Sequence, residues 1–141
     1  MKEEPNLRRI NTFCDGRGFS FFDVFGDVPY GQINLGNLHS GIIKAFHRHQ
    51  HQTDFWQCIS GDIHVICMSP DCSVIKHFYI GEHNTAILEI PPGFWHGYCN
   101  VGDKVSTLLY LVTKRYDPVN ADEERLAWDY KGKEIWEVEN I

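Results

Sequence analysis

The sequence predicts an all-β fold with a short C-terminal helix, and two patterns lead there. Gly, Asn, Asp and Pro recur as turn signals from the start of the chain almost to its end, leaving short strand-like segments between them. Only residues 121–128 read as helical, with acidic residues in the first turn and Asn120 placed as N-cap.

Taken in order, the expected strands are 18–25, 31–35, 41–47, 55–59, 62–68, 74–80, 85–90 and 105–113. The breaks include Gly26-Asp27, Ser60-Gly61-Asp62, Ser69-Pro70-Asp71, Gly81-Glu82-His83-Asn84 and Asn100-Val101-Gly102-Asp103, all built from residues that tolerate turn dihedrals. Many short strands must close or stack to hide their edges, which leaves a sandwich or a small barrel. Periodicity alone does not choose between them.

Bulk properties narrow the function classes. At 141 residues, with no repeat or linker, the chain is expected to form a single domain over residues 1–141. Its longest apolar runs are too short to span a bilayer, and the charged start MKEEPNLRRINTF lacks the apolar stretch of an export signal, so a cytoplasmic protein is expected. A net charge of −6 without a Lys/Arg cluster argues against a nucleic-acid partner and leaves room for a mononucleotide ligand. The five cysteines include no CxxC pair and read as reduced, mostly buried thiols.

Two segments carry chemistry. Between Gly41 and Gly61 the order is Gly, five residues, His47-x-His49, four residues, Asp54, six residues, Gly. Downstream lies Pro91-Pro-Gly93-Phe-Trp-His96-Gly-Tyr-Cys-Asn100. His47 and His49, two apart on a strand, share a face, and Asp54 and His96 arrive from neighbouring strands. His39 and His51 read instead as surface residues. The two segments resemble the first and second cupin motifs, with Asp54 where Glu is usual, and the resemblance implies a double-stranded β-helix, or jelly-roll, barrel.

A narrower resemblance covers almost the whole chain. FCDGRGFSFF, QIN, IIKAFHRHQ, IPPGFWHGY and LYLVTKRYDP, followed by LAWD and EIW, are similar to the elements of the dTDP-4-dehydrorhamnose 3,5-epimerase family. That resemblance implies an isomerase acting on a nucleotide-linked 4-keto sugar without a cofactor. His47 matches the family's base and Tyr110 its acid, with His49 a possible relay. Imidazole titrates near working pH and abstracts a proton, whereas a phenol keeps its proton until an enolate needs it. Arg17, Gln32, Asn34 and Lys44 match substrate-binding positions, His96 joins them from the second motif, and Tyr116 is a secondary candidate. The family's arm around RGF implies a homodimer, with Phe19, Phe21 or Phe22 near the nucleotide base. Tyr110 also fits ordinary strand packing, as those phenylalanines fit a core.

Three departures keep other readings open. The sequence reaches Ile141 before the family's aspartate that orients the catalytic histidine, so a partner for His47 is expected from elsewhere or not at all. Asp54 replaces an active-site lysine, putting an anion where an enolate would form. The HxHxxxxD spacing resembles metal cupins and, in its HxH portion, nucleotide-sugar 3,4-ketoisomerases. His47, His49, Asp54 and His96 together would suit Fe, Mn, Ni, Co or Zn. Three hypotheses follow: a 4-keto-sugar epimerase or ketoisomerase, a metal-dependent cupin enzyme, and a non-catalytic sugar-binding cupin. Strand alternation puts Lys44 on the face opposite His47 unless a bulge intervenes.

Overall fold

Alternating apolar residues along short strands have one way to leave water, which is to face a second sheet. The computed structural model, which describes residues 1–140, shows that arrangement. Its strands are β1 (Asn6–Arg9), β2 (Asn11–Asp15), β3 (Gly18–Phe22), β4 (Gln32–Leu38), β5 (Ile43–Arg48), β6 (Asp54–Ser60), β7 (Asp62–Met68), β8 (Ile75–Gly81), β9 (Ala86–Ile90), β10 (Trp95–Asn100), β11 (Ser106–Val112) and β12 (Glu124–Arg125).

Two five-stranded sheets, ordered β1-β9-β6-β11-β4 and β12-β5-β10-β7-β8, lie face to face as in a jelly roll, and β2 with β3 forms a separate hairpin. Trp56, Leu88, Ile90 and Leu108 from the first sheet meet Ile63, Val65, Ile80 and Tyr98 from the second in one buried cluster. All eight expected strands are present. Four more, β1, β2, β10 and β12, were not read from the sequence.

The expected helix over 121–128 is absent. Glu124–Arg125 instead pairs antiparallel with β5, and Leu126 exchanges two backbone hydrogen bonds with Phe46. The acids that resemble a helical first turn serve the histidine strand: Asp122 accepts from the backbone N–H groups of Gln50 and His51, and Glu124 pairs with Arg48. Tertiary pairing thus overrides a weak local preference. Among the described residues the helical element is a 3-10 turn, Lys133–Trp136, whose buried Trp136 packs on Phe46 at 5.5 Å between ring centroids. Among the described residues no helix is long and apolar enough to cross a membrane.

The β5–β10 pair carries the bulge on which Lys44 depends. His96 pairs with His47 and Tyr98 with Lys44, so β5 spends three residues where β10 spends two. This flips the parity of β5, and Lys44 shares the face of His47. Gly97 sits at the closest approach: a Cβ there would fall 2.2 Å from the Ala45 Cβ. Only glycine fits.

On the β7–β8 pair, buried His64 stacks on Tyr79 and lies 2.9 Å from His77. Burial, and secondarily the charge of His77, hold His64 down at about 4. Because its folded value lies below the ordinary 6.5, the unfolded chain binds the proton more readily. Its contribution to stability is therefore complete above that ordinary value and is lost as pH falls toward about 4. Urea unfolding is expected to show stability falling by about 1 to 2 kcal/mol between neutral and mildly acidic pH through this residue. His64→Phe should lose correspondingly less over the same interval, and an identical pH slope in the variant would count against the assignment.

Candidate active-site pocket

Between the sheets opens a cavity of about 610 Å³ lined by Gln32, Asn34, Lys44, His47, His49, Gln52, Asp54, Trp56, His96, Tyr98, Tyr110, Lys114, Arg115, Tyr116 and Glu123 among others. Three pairs of these side chains arrive by strand parity. Asp54 and Trp56 are two apart on β6, His96 and Tyr98 two apart on β10, and Gln32 and Asn34 two apart on β4.

His47 and Tyr110 come from different sheets: His47 from β5, next to β10, and Tyr110 from β11, between β6 and β4. Burial lowers the His47 imidazole below its ordinary value, opposed mainly by the carboxylate of Glu123, whose Oε1 lies 2.8 Å from Nδ1. The ring N–H is not aligned with that oxygen, so the contact is close but bent. Tyr110 is shifted upward, by burial first and by Asp54 second, and stays protonated at neutral pH. Asn34 stands opposite it in register.

The floor is a polar cluster in a dry setting. Asp54 is 3% exposed, accepting from Gln52 Nε2 at 2.9 Å and from Trp56 Nε1 at 3.1 Å. Its Oδ2 lies 3.7 Å from His96 Nε2 and 4.0 Å from His49 Nε2. The other ring nitrogens meet backbone carbonyls: His49 Nδ1 lies 2.6 Å from the Asp122 oxygen and His96 Nδ1 3.0 Å from the Phe94 oxygen. A carbonyl only accepts, so each Nδ1 carries a proton and each Nε2 faces the carboxylate. Burial keeps His96 below the ordinary histidine range despite the attraction of Asp54.

The structure therefore brings together nine of the ten residues singled out from the sequence: His47, His49, Asp54, His96, Tyr110, Gln32, Asn34, Lys44 and Tyr116. Gln32 Oε1 accepts from the Tyr116 backbone N–H at 2.8 Å, and its Nε2 donates to Asn34 Oδ1 at 3.0 Å. Arg17 is the exception. It sits at the turn of the β2–β3 hairpin, paired with Asp15, its side chain 87% exposed and outside the pocket of its own chain. Phe19 and Phe22 on the same hairpin are exposed, so the core alternative fails for them, while Phe21 packs against an inner cluster. His39 and His51 are exposed. His47 is not grouped with His49, Asp54 and His96, whose candidate ligand atoms lie within 4.8 Å of one another.

Trp56, Tyr98, Lys114, Arg115 and Glu123 were not singled out. The period of two from Asp54 and from His96 would have found Trp56 and Tyr98. No local signal points to Glu123, because only the fold returns β12 to β5.

Comparison with known proteins gives the same direction. The family described as "Polysaccharide biosynthesis C-terminal domain" matches residues 13–124. Spore coat polysaccharide biosynthesis protein SpsL of Bacillus subtilis is 32% identical over 139 residues, 92% of this chain and 91% of that protein. The probable low-salt glycan biosynthesis epimerase Agl13 of Haloferax volcanii is 38% identical over 95 residues, 63% of this chain and 61% of its own. The crystal structure of dTDP-4-dehydrorhamnose 3,5-epimerase from Bacillus anthracis superposes with a TM-score of 0.79 at 21% identity, covering 92% of this chain and 82% of that one, and shares the fold. With the matched segment spanning most of the strands and the whole histidine site, the chain belongs to the polysaccharide biosynthesis C-terminal domain family.

Proposed function

We propose that the protein is a nucleotide-sugar epimerase acting on a dTDP-4-keto-6-deoxyhexose-like substrate through proton transfer beside the ketone. The observation that carries this reading is the placement of His47 and Tyr110 on opposite sheets lining one cavity. The names of the relatives, an epimerase of glycan biosynthesis among them, agree with it.

In this reading the jelly roll is a cupin barrel whose mouth takes the sugar. His47, uncharged at neutral pH because burial lowers it, removes the proton from the carbon alpha to the ketone. The electron pair moves into the carbonyl, giving an enolate. Tyr110 then delivers its phenolic proton to the same carbon from the opposite face, inverting it. Lys44, on the pocket face through the β5 bulge, together with Lys114 and Arg115, supplies the cationic side for a diphosphate. Gln32 and Asn34 offer amide groups from the edge strand.

The homodimer belongs to the same proposal. The β2–β3 hairpin presents Phe13, Phe19 and Phe22 to solvent, and a partner's hairpin would bring the Arg17 position to the mouth.

A second reading is favoured by one observation: His49 and His96 both turn Nε2 toward the Asp54 carboxylate, so that three candidate ligand atoms converge within 4.8 Å of one another. These residues fit a divalent transition ion bound by two imidazoles and one carboxylate, with Gln52 and Trp56 orienting Asp54. When bound, such an ion would polarise the sugar carbonyl. The His47–Tyr110 pair would retain its role in either case.

Two measurements follow. With a dTDP-4-keto-6-deoxyhexose, His47→Gln and Tyr110→Phe should each lower kcat by about 10²- to 10⁴-fold while leaving the fold intact by circular dichroism. Full activity in either variant would remove that residue from the chemistry. Elemental analysis of protein purified without chelators decides between the metal readings. About one ion per chain, lost in Asp54→Asn, supports the second; a trace amount with chelator-resistant activity supports the metal-free reading.

A further inference from the structure

The catalytic reading of His47 leaves open what sets its tautomer, and the segment just before β12 answers it. We infer that Glu123 is the positioning residue of His47, holding the Nδ1–H side of the ring so that Nε2 keeps its lone pair for the substrate. The inference rests on the reading of His47 as a proton acceptor and extends it to a residue in the segment that leads into β12.

The geometry has three parts. Glu123 Oε1 lies 2.8 Å from His47 Nδ1, and both side chains are largely sheltered, at 29% and 21% exposure. Arg125 is the direct register partner of His47 on β12, and Glu123, two residues before it, occupies the diagonal position on the same face. Arg125 returns along that face to place a guanidinium nitrogen 3.3 Å from Glu123 Oε2, which leaves Oε1 for the imidazole.

The neighbours of Glu123 reinforce its placement. Asp122 accepts from the Gln50 and His51 backbone N–H groups at 2.8 Å each, and its own carbonyl faces His49 Nδ1. Glu124 pairs with Arg48 and accepts from Gln50 Nε2 at 2.8 Å. Three consecutive acids thus hold His47, Arg48, Gln50 and His51 of the histidine strand and its following loop. In this strap Asp122 and Glu124 hold backbone and surface groups, and Glu123 alone reaches His47.

A structural role in docking β12 and a positioning role for the ring give different results. In Glu123→Gln and Glu123→Leu, kcat should fall at least about tenfold with KM changed less than about threefold, and Glu123→Asp should recover part of the loss. Ring ¹⁵N chemical shifts of His47 read the tautomer without any turnover. Wild type should be protonated at Nδ1, and Glu123→Leu should lose that preference while the His49 and His96 shifts stay in place. If the wild type fails to turn over 4-keto sugars, the proposed function falls, and the ¹⁵N spectra still decide the role of Glu123. An unchanged His47 tautomer in Glu123→Leu overturns the inference. So does a loss of activity accompanied by collapse of the β12 pairing in every Glu123 variant, including Asp.

Discussion

The antiparallel pairing of β5 with β10 is the contact on which the site depends. It places His47 opposite His96 and, through one extra residue on β5, places Lys44 opposite Tyr98. A regular ladder would have turned Lys44 to the other face, leaving the pocket floor without its cation. The bulge exists because Gly97 lets Ala45 approach where no side chain would fit. One glycine and one inserted residue therefore convert two strands into a wall bearing His47, His96 and Lys44 together.

The opposite wall obeys a different constraint. Tyr110 stands on β11, between β4 and β6, so its position is fixed from both sides by pairing with Asn34 and Trp56. Trp56 fills the corner between the walls, with its ring edge-on to His96 and Tyr98 at 5.4 Å each. Packing aromatic rings around a carboxylate and two imidazoles excludes water and strengthens every charge interaction among them. The same dryness lowers His47 and raises Tyr110, so each sits at neutral pH in the protonation state that its assigned step requires.

Much of this was legible in the sequence because it is local. The eight strands expected from turn spacing are all present, and the motif residues from Gln32 to Tyr116 meet in one pocket. What was not legible depends on returns of the chain across distance. The acids at 122–124 look like the start of a helix, and nothing near them shows that they will meet an arginine, two backbone amides and a histidine more than seventy residues earlier. Regular alternation put Lys44 on the face opposite His47 unless a bulge intervened, and the bulge was not legible for the same reason, since it belongs to a pair of strands. Strand β10 was hidden because its His96-Gly97 centre breaks the β-branched pattern of an ordinary strand. Arg17 followed the family motif, and it sits at the exposed turn of its hairpin, outside the pocket of its own chain.

The central claim is that a proton leaves and returns at the carbon beside a sugar ketone between His47 and Tyr110. It is tested most directly by incubating the protein with a dTDP-4-keto-6-deoxyhexose in D₂O and locating deuterium in the recovered sugar by NMR and mass spectrometry. The account predicts deuterium at a carbon adjacent to the ketone, with inversion there and no label elsewhere on the ring. Inversion without label, or no label and no inversion while the nucleotide sugar remains bound, would contradict it.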